Sequence, residues 1–188
     1  MTAALSSQLQ AYTGRETDLS TPLGTYRCWD KKMTSIDTLG CPEPRLALYL
    51  PHRPNGLSQL AAAPDSQRLI DANSNHWRKI VNLLAKVASP DAEGWRQFRD
   101  EALFRHTALC FTSILSDSAC WHWIGGKDNL QRFGSLGQSA EPLPGCPSVR
   151  IDAEKRLLLT PYPDYRQLSN EVVSHIRTEL GRYRFYQF

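Results

Sequence analysis

Four short apolar runs decide what this chain can fold into: "RLALYL" (Arg45–Leu50), "TALCFTSIL" from Thr107, "ACWHWIG" ending at Gly125, and "RLLLT" (Arg156–Thr160). Each is too short for a buried helix and rich in leucine, β-branched or aromatic residues, so each predicts a strand. None alternates cleanly between apolar and polar residues. That predicts burial on both faces, as in a sheet covered by helices.

Between the runs the period changes. Trp77, Ile80, Val81, Leu84 and Val87 recur at spacings of three and four, with Asn73 or Ser74 placed to cap a helix that Pro90 ends near Ala88. A second helix is predicted over Glu93–Arg105, carrying Trp95, Phe98, Ala102 and Leu103 on one side. "GKDNLQRFG" reads as a short helix entered through Gly125-Gly126 and left through Gly134. "SLGQSAEPLPGCP" reads as a loop and "SVRI" as a further strand. Leu168, Val172, Ile176 and Leu180 then stripe a final helix. Strands alternating with amphipathic helices predict an α/β fold, a three-layer sandwich with a mainly parallel sheet. The expected organisation is a flexible arm over residues 1–25 and a single domain over 26–188. "YRCWDKKM" fits a short helix or an edge element, and the sequence leaves both open.

Composition narrows the function classes. A net charge of +3 and 22% charged residues do not demand a nucleic-acid partner and do not exclude one. No apolar run approaches the roughly 20 residues of a membrane helix, so no membrane partner is expected. The N-terminus lacks a basic start followed by an apolar block. Five scattered cysteines without a Cys-x-x-Cys pair read as reduced thiols, which predicts a cytoplasmic protein.

In open α/β sheets, ligands bind beyond the carboxyl ends of the strands. Three loops are expected there: Pro51–Gly56, Gly125–Asn129 and Thr160–Gln167. In the second, Gly126 permits a tight turn, Lys127 adds a positive charge, and Asn129 lies in the first helical turn, a place to hold a phosphate or carboxylate. It is not a P-loop. That motif needs a glycine where Trp121 stands and a Ser or Thr where Asp128 stands. A plain strand-to-helix turn explains the same residues.

"TPYPDYRQ" is stiffened by two prolines. Its Asp164 is the candidate general base, Arg166 a candidate anion grip, and Tyr162 or Tyr165 a stacking surface. A rigid connection with Asp164 or Ser169 as a helix cap is the competing reading. "PHRPNG" adds His52 and Arg53. Cys110, Cys120 and His122 fall in apolar runs and read as core residues, so no metal site and no cofactor are expected. The tail "RYRFYQF" interleaves arginine with aromatics, as single-strand binders do, but docking on the core is the favoured reading.

"CWHWIGGKDNLQRFG" followed by "RLLLTPYPD" resembles the closing β-α-β unit of the uracil-DNA glycosylase superfamily, over the C-terminal third of the chain. The resemblance implies a uracil-DNA glycosylase-like fold and places Tyr162, Pro163 and Asp164 where that superfamily has His-Pro-Ser. It also implies a first motif at "LYLPHRPNG", where relatives carry a catalytic carboxylate or amide. Here the loop holds His52 and Arg53, and Asn55 is the nearby side chain able to orient a water. With no carboxylate in that loop and Tyr162 in place of the histidine, both water activation and leaving-group stabilisation are lost, so ordinary uracil excision is not expected. The chain also looks like members of an uncharacterised bacterial family sharing the Gly-Lys turn and the "PYPDYRQ" loop. The resulting expectation is a protein that binds a nucleotide, a nucleobase or a nucleic-acid end. The alternatives are a hydrolase-type enzyme using Asp164 as base, and a non-catalytic partner-binding module.

Overall fold

The predicted strands pair into one sheet, and its central members position the candidate site. The computed structural model describes residues 36–187; the arm expected over 1–25 and the stretch "YRCWDKKM" lie outside them. In chain order the first half forms β1 (Thr38–Gly40), β2 (Leu46–Tyr49), α1 (Leu57–Ala62), α2 (Ser66–Asp71), α3 (Asn75–Ala88), α4 (Trp95–Glu101) and α5 (Leu103–His106). The second half forms β3 (Thr107–Cys110), β4 (Trp121–Gly125), α6 (Lys127–Gln131), β5 (Glu141–Leu143), β6 (Cys146–Asp152), β7 (Leu157–Thr160) and α7 (Asn170–Arg182).

The strand order is β1-β3-β2-β4-β7-β6-β5. β2 pairs in parallel with β3 and β4, and β4 with β7, whereas β1, β6 and β5 join antiparallel. The sheet is therefore mixed, where the sequence predicts a mainly parallel one. Its parallel centre needs helical crossovers, but β5 and β6 are joined by a tight hairpin through Gly145, whose φ is 75°. "SLGQSAEPLPGCP" thus ends in strand, not loop.

Alternation, hidden in sequence because both faces are apolar, is clear in the packing. Leu46, Leu48, Leu109, Trp121, Trp123 and Leu158 join the core cluster that holds α3 and α7. Ala47, Tyr49, Ala108, Cys110, Ile124, Leu157 and Leu159 build a second cluster, against which Leu130, Phe133 and Leu136 of α6 and the following turns pack. One face carries the long helices. The other carries α6 and irregular chain.

α3 forms as its spacing requires: Trp77, Ile80, Val81, Leu84 and Val87 are all buried, and Ser74 is the N-cap residue. In α7, Val173, Ile176 and Leu180 are buried, and the Ser169 hydroxyl accepts from the Val172 N–H at 3.3 Å. Ser169, not Asp164, is the cap. Two expectations fail on length. The helix predicted over Glu93–Arg105 breaks at Ala102, whose φ of −131° divides α4 from α5. The run "TALCFTSIL" is strand only to Cys110, since the Thr112 hydroxyl closes a local turn onto the Ile114 carbonyl at 3.0 Å and Ile114 is 77% exposed. The tail docks: Phe185 is buried, and Tyr186 donates to the Val87 carbonyl at 2.7 Å. Among the described residues, no helix is long and apolar enough to cross a membrane.

Candidate functional site

Because β2, β4 and β7 run in parallel, the segments that follow them leave the sheet at one rim. β2 has β3 on one side and β4 on the other, so the chain reverses its direction of winding there. Such a reversal opens a crevice between the outgoing loops. His52 follows β2, Gly126 follows β4, and Tyr162 follows β7.

The glycine-led and proline-stiffened turns touch. The Gly126 N–H donates to the Thr160 carbonyl at 2.9 Å. A Cβ on Gly125 would stand 2.6 Å from Cδ of Pro163, well inside van der Waals contact. Gly126 has a φ of 98°, a conformation side chains rarely adopt, and a Cβ there would lie 3.3 Å from the Tyr162 ring. The glycine pair thus lets the Pro161–Pro163 backbone lie against the end of β4. Beneath it, Trp123 Nε1 donates to Thr160 Oγ1 at 2.7 Å, which in turn donates to the Pro161 carbonyl at 2.7 Å.

What this platform presents is a histidine–tyrosine–histidine chain. The Tyr162 hydroxyl lies 2.9 Å from Nε2 of His52 and 2.7 Å from Nε2 of His76, the second residue of α3. The His76 and Tyr162 rings stack with centroids 5.1 Å apart and planes at 13°. His52 sits edge-on to Trp77 at 5.1 Å and 5.4 Å from His76. A neutral phenol has one proton to donate and must accept the other bond, so one imidazole carries its proton on Nε2 and the other on Nδ1. Burial and the nearby Asp164 charge push the Tyr162 phenol far above its ordinary range, which keeps it neutral. A proton added at one histidine can therefore leave at the other through the hydroxyl.

Burial, then the neighbouring His76, lowers the His52 pKa. The fold favours neutral His52, so the unfolded chain binds more protons as the solution acidifies. This contribution to stability is present above the ordinary histidine range and is lost as pH falls through the lowered value. His122, lowered mainly by burial, acts in the same sense. The melting temperature should be lower at about pH 5.5 than at about pH 7.5. His52→Gln should narrow that gap without closing it, because His122 still contributes; thermal unfolding at the two pH values measures both.

Along α3 the same segment is held turn by turn. Lys79 Nζ lies 2.7 Å from Asp164 Oδ2, Asn82 Nδ2 donates to the Tyr165 hydroxyl at 2.7 Å, and Lys86 Nζ donates to Asn170 Oδ1 at 2.7 Å. Asp164 Oδ1 also accepts the Arg166 N–H at 3.0 Å. Both oxygens of the candidate base are thus engaged. The Lys79 and Arg166 hydrogen bonds hold its carboxyl below the ordinary range, which makes it a weaker proton acceptor.

The other expected site residues divide. Lys127 opens α6 and is exposed, as are Tyr165 and Arg166. Arg53 donates to the Ile36 carbonyl, pairs with Asp37, and lies 5.8 Å over the Phe111 ring. Asn129 is buried: its amide donates to the Tyr49 carbonyl at 2.8 Å, and its oxygen accepts from Arg132 at 2.9 Å. It braces the strand ends. Cys120 is exposed, whereas Cys110 and His122 are buried, His122 Nδ1 lying 3.0 Å from the Tyr49 hydroxyl. Burial pushes the Cys110 thiol up to about 11. Among the described residues, no group of three or more His, Cys, Asp or Glu is placed to hold a metal ion.

Sequence reasoning missed His76, Lys79 and Asn82. The signal was a second stripe on α3: residues 76, 79, 82 and 86 repeat at three and four beside the apolar one.

No curated protein and no solved structure matches the chain. A match of another kind covers residues 37–181, from the start of β1 to the last turns of α7. It embraces the whole rim, the stacked rings and the tied segment that follows them. The chain belongs to DUF6942, a family of unknown function.

Proposed function

We propose that this chain has a uracil-DNA glycosylase-like fold and binds a nucleotide, a nucleobase or a nucleic-acid end at the rim after β2, β4 and β7. In this reading it works in the cytoplasm and without standard uracil excision. The observation that carries the reading is the contact between the two turns, which brings Tyr162, His52 and His76 together at the reversal of strand order. His76 and Tyr162 offer stacked ring surface to a planar base, and exposed Lys127 and Arg166 supply positive charge for a phosphate. Four described cysteines are unpaired, in keeping with a reducing compartment. Asp164 serves here as the anchor that fixes the loop through Lys79, and the hydrolase reading loses support with that engagement.

The test is a calorimetric titration of deoxynucleoside monophosphates into the full chain and into His52→Ala and Arg166→Ala. Each variant should bind roughly tenfold more weakly, about 1.4 kcal/mol. Equal binding by all three proteins, or binding by none, overturns the proposal.

A further inference from the structure

We infer that the groove between the end of α3, α4 and α7 is a second ligand site, which takes the phosphate backbone of a single nucleic-acid strand whose end lies at the rim. The inference rests on the rim reading above and extends it from an end to a strand. The groove has a volume of about 690 Å³, and its lining includes Lys86, Trp95, Arg96, Arg177 and Tyr186. Against three cations it holds one carboxylate, Glu93. Among the described residues no carboxylate is ion-paired with Lys86, Arg96 or Arg177.

The cations sit on aromatic faces. Lys86 Nζ is 5.0 Å from the centre of the Trp95 ring and 5.7 Å from that of Tyr165. Arg96 lies 4.6 Å over Trp95, and Arg177 lies 4.6 Å over Tyr186. Burial, and after it the nearby Arg96 charge, lowers the Lys86 pKa. Arg177 spends N–H groups on the carbonyls of Lys86, Val87, Ser89 and Pro90 at the end of α3, and among the described residues no carboxylate pairs with it. Cations interleaved with aromatic rings are how proteins hold single strands, by backbone charge and base stacking.

Position favours a strand over a free anion. His76 at the rim and Lys86 in the groove lie on one helix and face one segment, with exposed Tyr165 between them. Ten helical residues span about 15 Å, which about five nucleotides cover at ~3.4 Å each.

The probes are labelled oligodeoxynucleotides of about 2 and about 8 nucleotides, with inorganic phosphate as competitor, measured by anisotropy on the full chain. The longer strand should bind at least roughly tenfold more tightly, and Arg96→Glu or Lys86→Gln should remove that advantage. In each variant the slope of log Kd against log salt should fall by about 0.7 per lost phosphate contact. Arg96 is exposed and Lys86 half-buried, and unchanged melting temperatures would certify folding; should one variant fail to fold, the other decides. Equal affinity for the two lengths, or an Arg96→Glu protein that keeps the advantage, overturns the inference. The rim reading still stands if His52→Ala weakens the dinucleotide. If instead the groove variants act and His52→Ala changes nothing, the rim reading falls and with it the placement of the strand's end, leaving a groove that holds the backbone alone. Displacement of the longer strand by inorganic phosphate at comparable concentration also overturns the strand, leaving a simple anion site.

Discussion

Removing one oxygen, in Tyr162→Phe, should destabilise the protein by about 1–3 kcal/mol and leave the rim unable to hold its two histidines. The phenyl ring keeps the stacking on His76, so packing changes little. What goes is the hydroxyl that bonds both Nε2 atoms at 2.7 and 2.9 Å. Both imidazoles then have a half-buried polar nitrogen without its partner, and the asymmetry of hydrogen-bond energetics makes an unmade bond cost more than the bond contributes. His52, released, is free to turn about its side-chain bonds, so nucleotide affinity should fall with stability. Urea unfolding gives the first quantity and calorimetry the second. An unchanged denaturation midpoint would mean that the hydroxyl does not organise the rim.

Gly125→Val should cost a further class of energy, strain. Its added carbons would meet the Pro163 ring, already 2.6 Å from the place a first side-chain atom would take. Neither partner yields easily: Gly125 is in register with Thr160 in the sheet, and Pro163 is buried in a loop stiffened by a second proline. Overpacking of this kind costs about 1–3 kcal/mol, and the displacement would carry Tyr162 away from both histidines. Combining it with Pro163→Ala should restore part of the loss, because the two side chains compete for one volume. A double-mutant cycle from urea midpoints measures that coupling. Additive losses would show that the two turns do not share this space.

The centre of the fold was legible because strand and helix periods differ. "RLALYL", "ACWHWIG" and "RLLLT" could be little else than buried strands, and the Trp77-to-Val87 stripe little else than a helix. The edges were not. β1 and β5 are three residues each, too short to show a period, and antiparallel neighbours can pair without any signal in a strand's own sequence. The break at Ala102 carries no proline or glycine, so local propensity gave no warning of it. The glycine pair and the flanking prolines marked the two turns that touch, since they reflect backbone demands that few other residues meet. His76 stayed hidden, because its meeting with Tyr162 joins positions 86 apart in the chain and depends on how α3 crosses the sheet. Asp164 was conspicuous for its chemistry, but its tie to Lys79 depends on the same crossing.

The four successive ties between α3 and the segment from Tyr162 to Asn170 carry an evolutionary corollary. A stretch without regular structure normally accepts insertions and deletions with ease. This one is gauged by the pitch of its neighbour, so one residue more or fewer would throw every later tie out of phase. Across descent, this stretch should therefore vary in its letters far more freely than in its length.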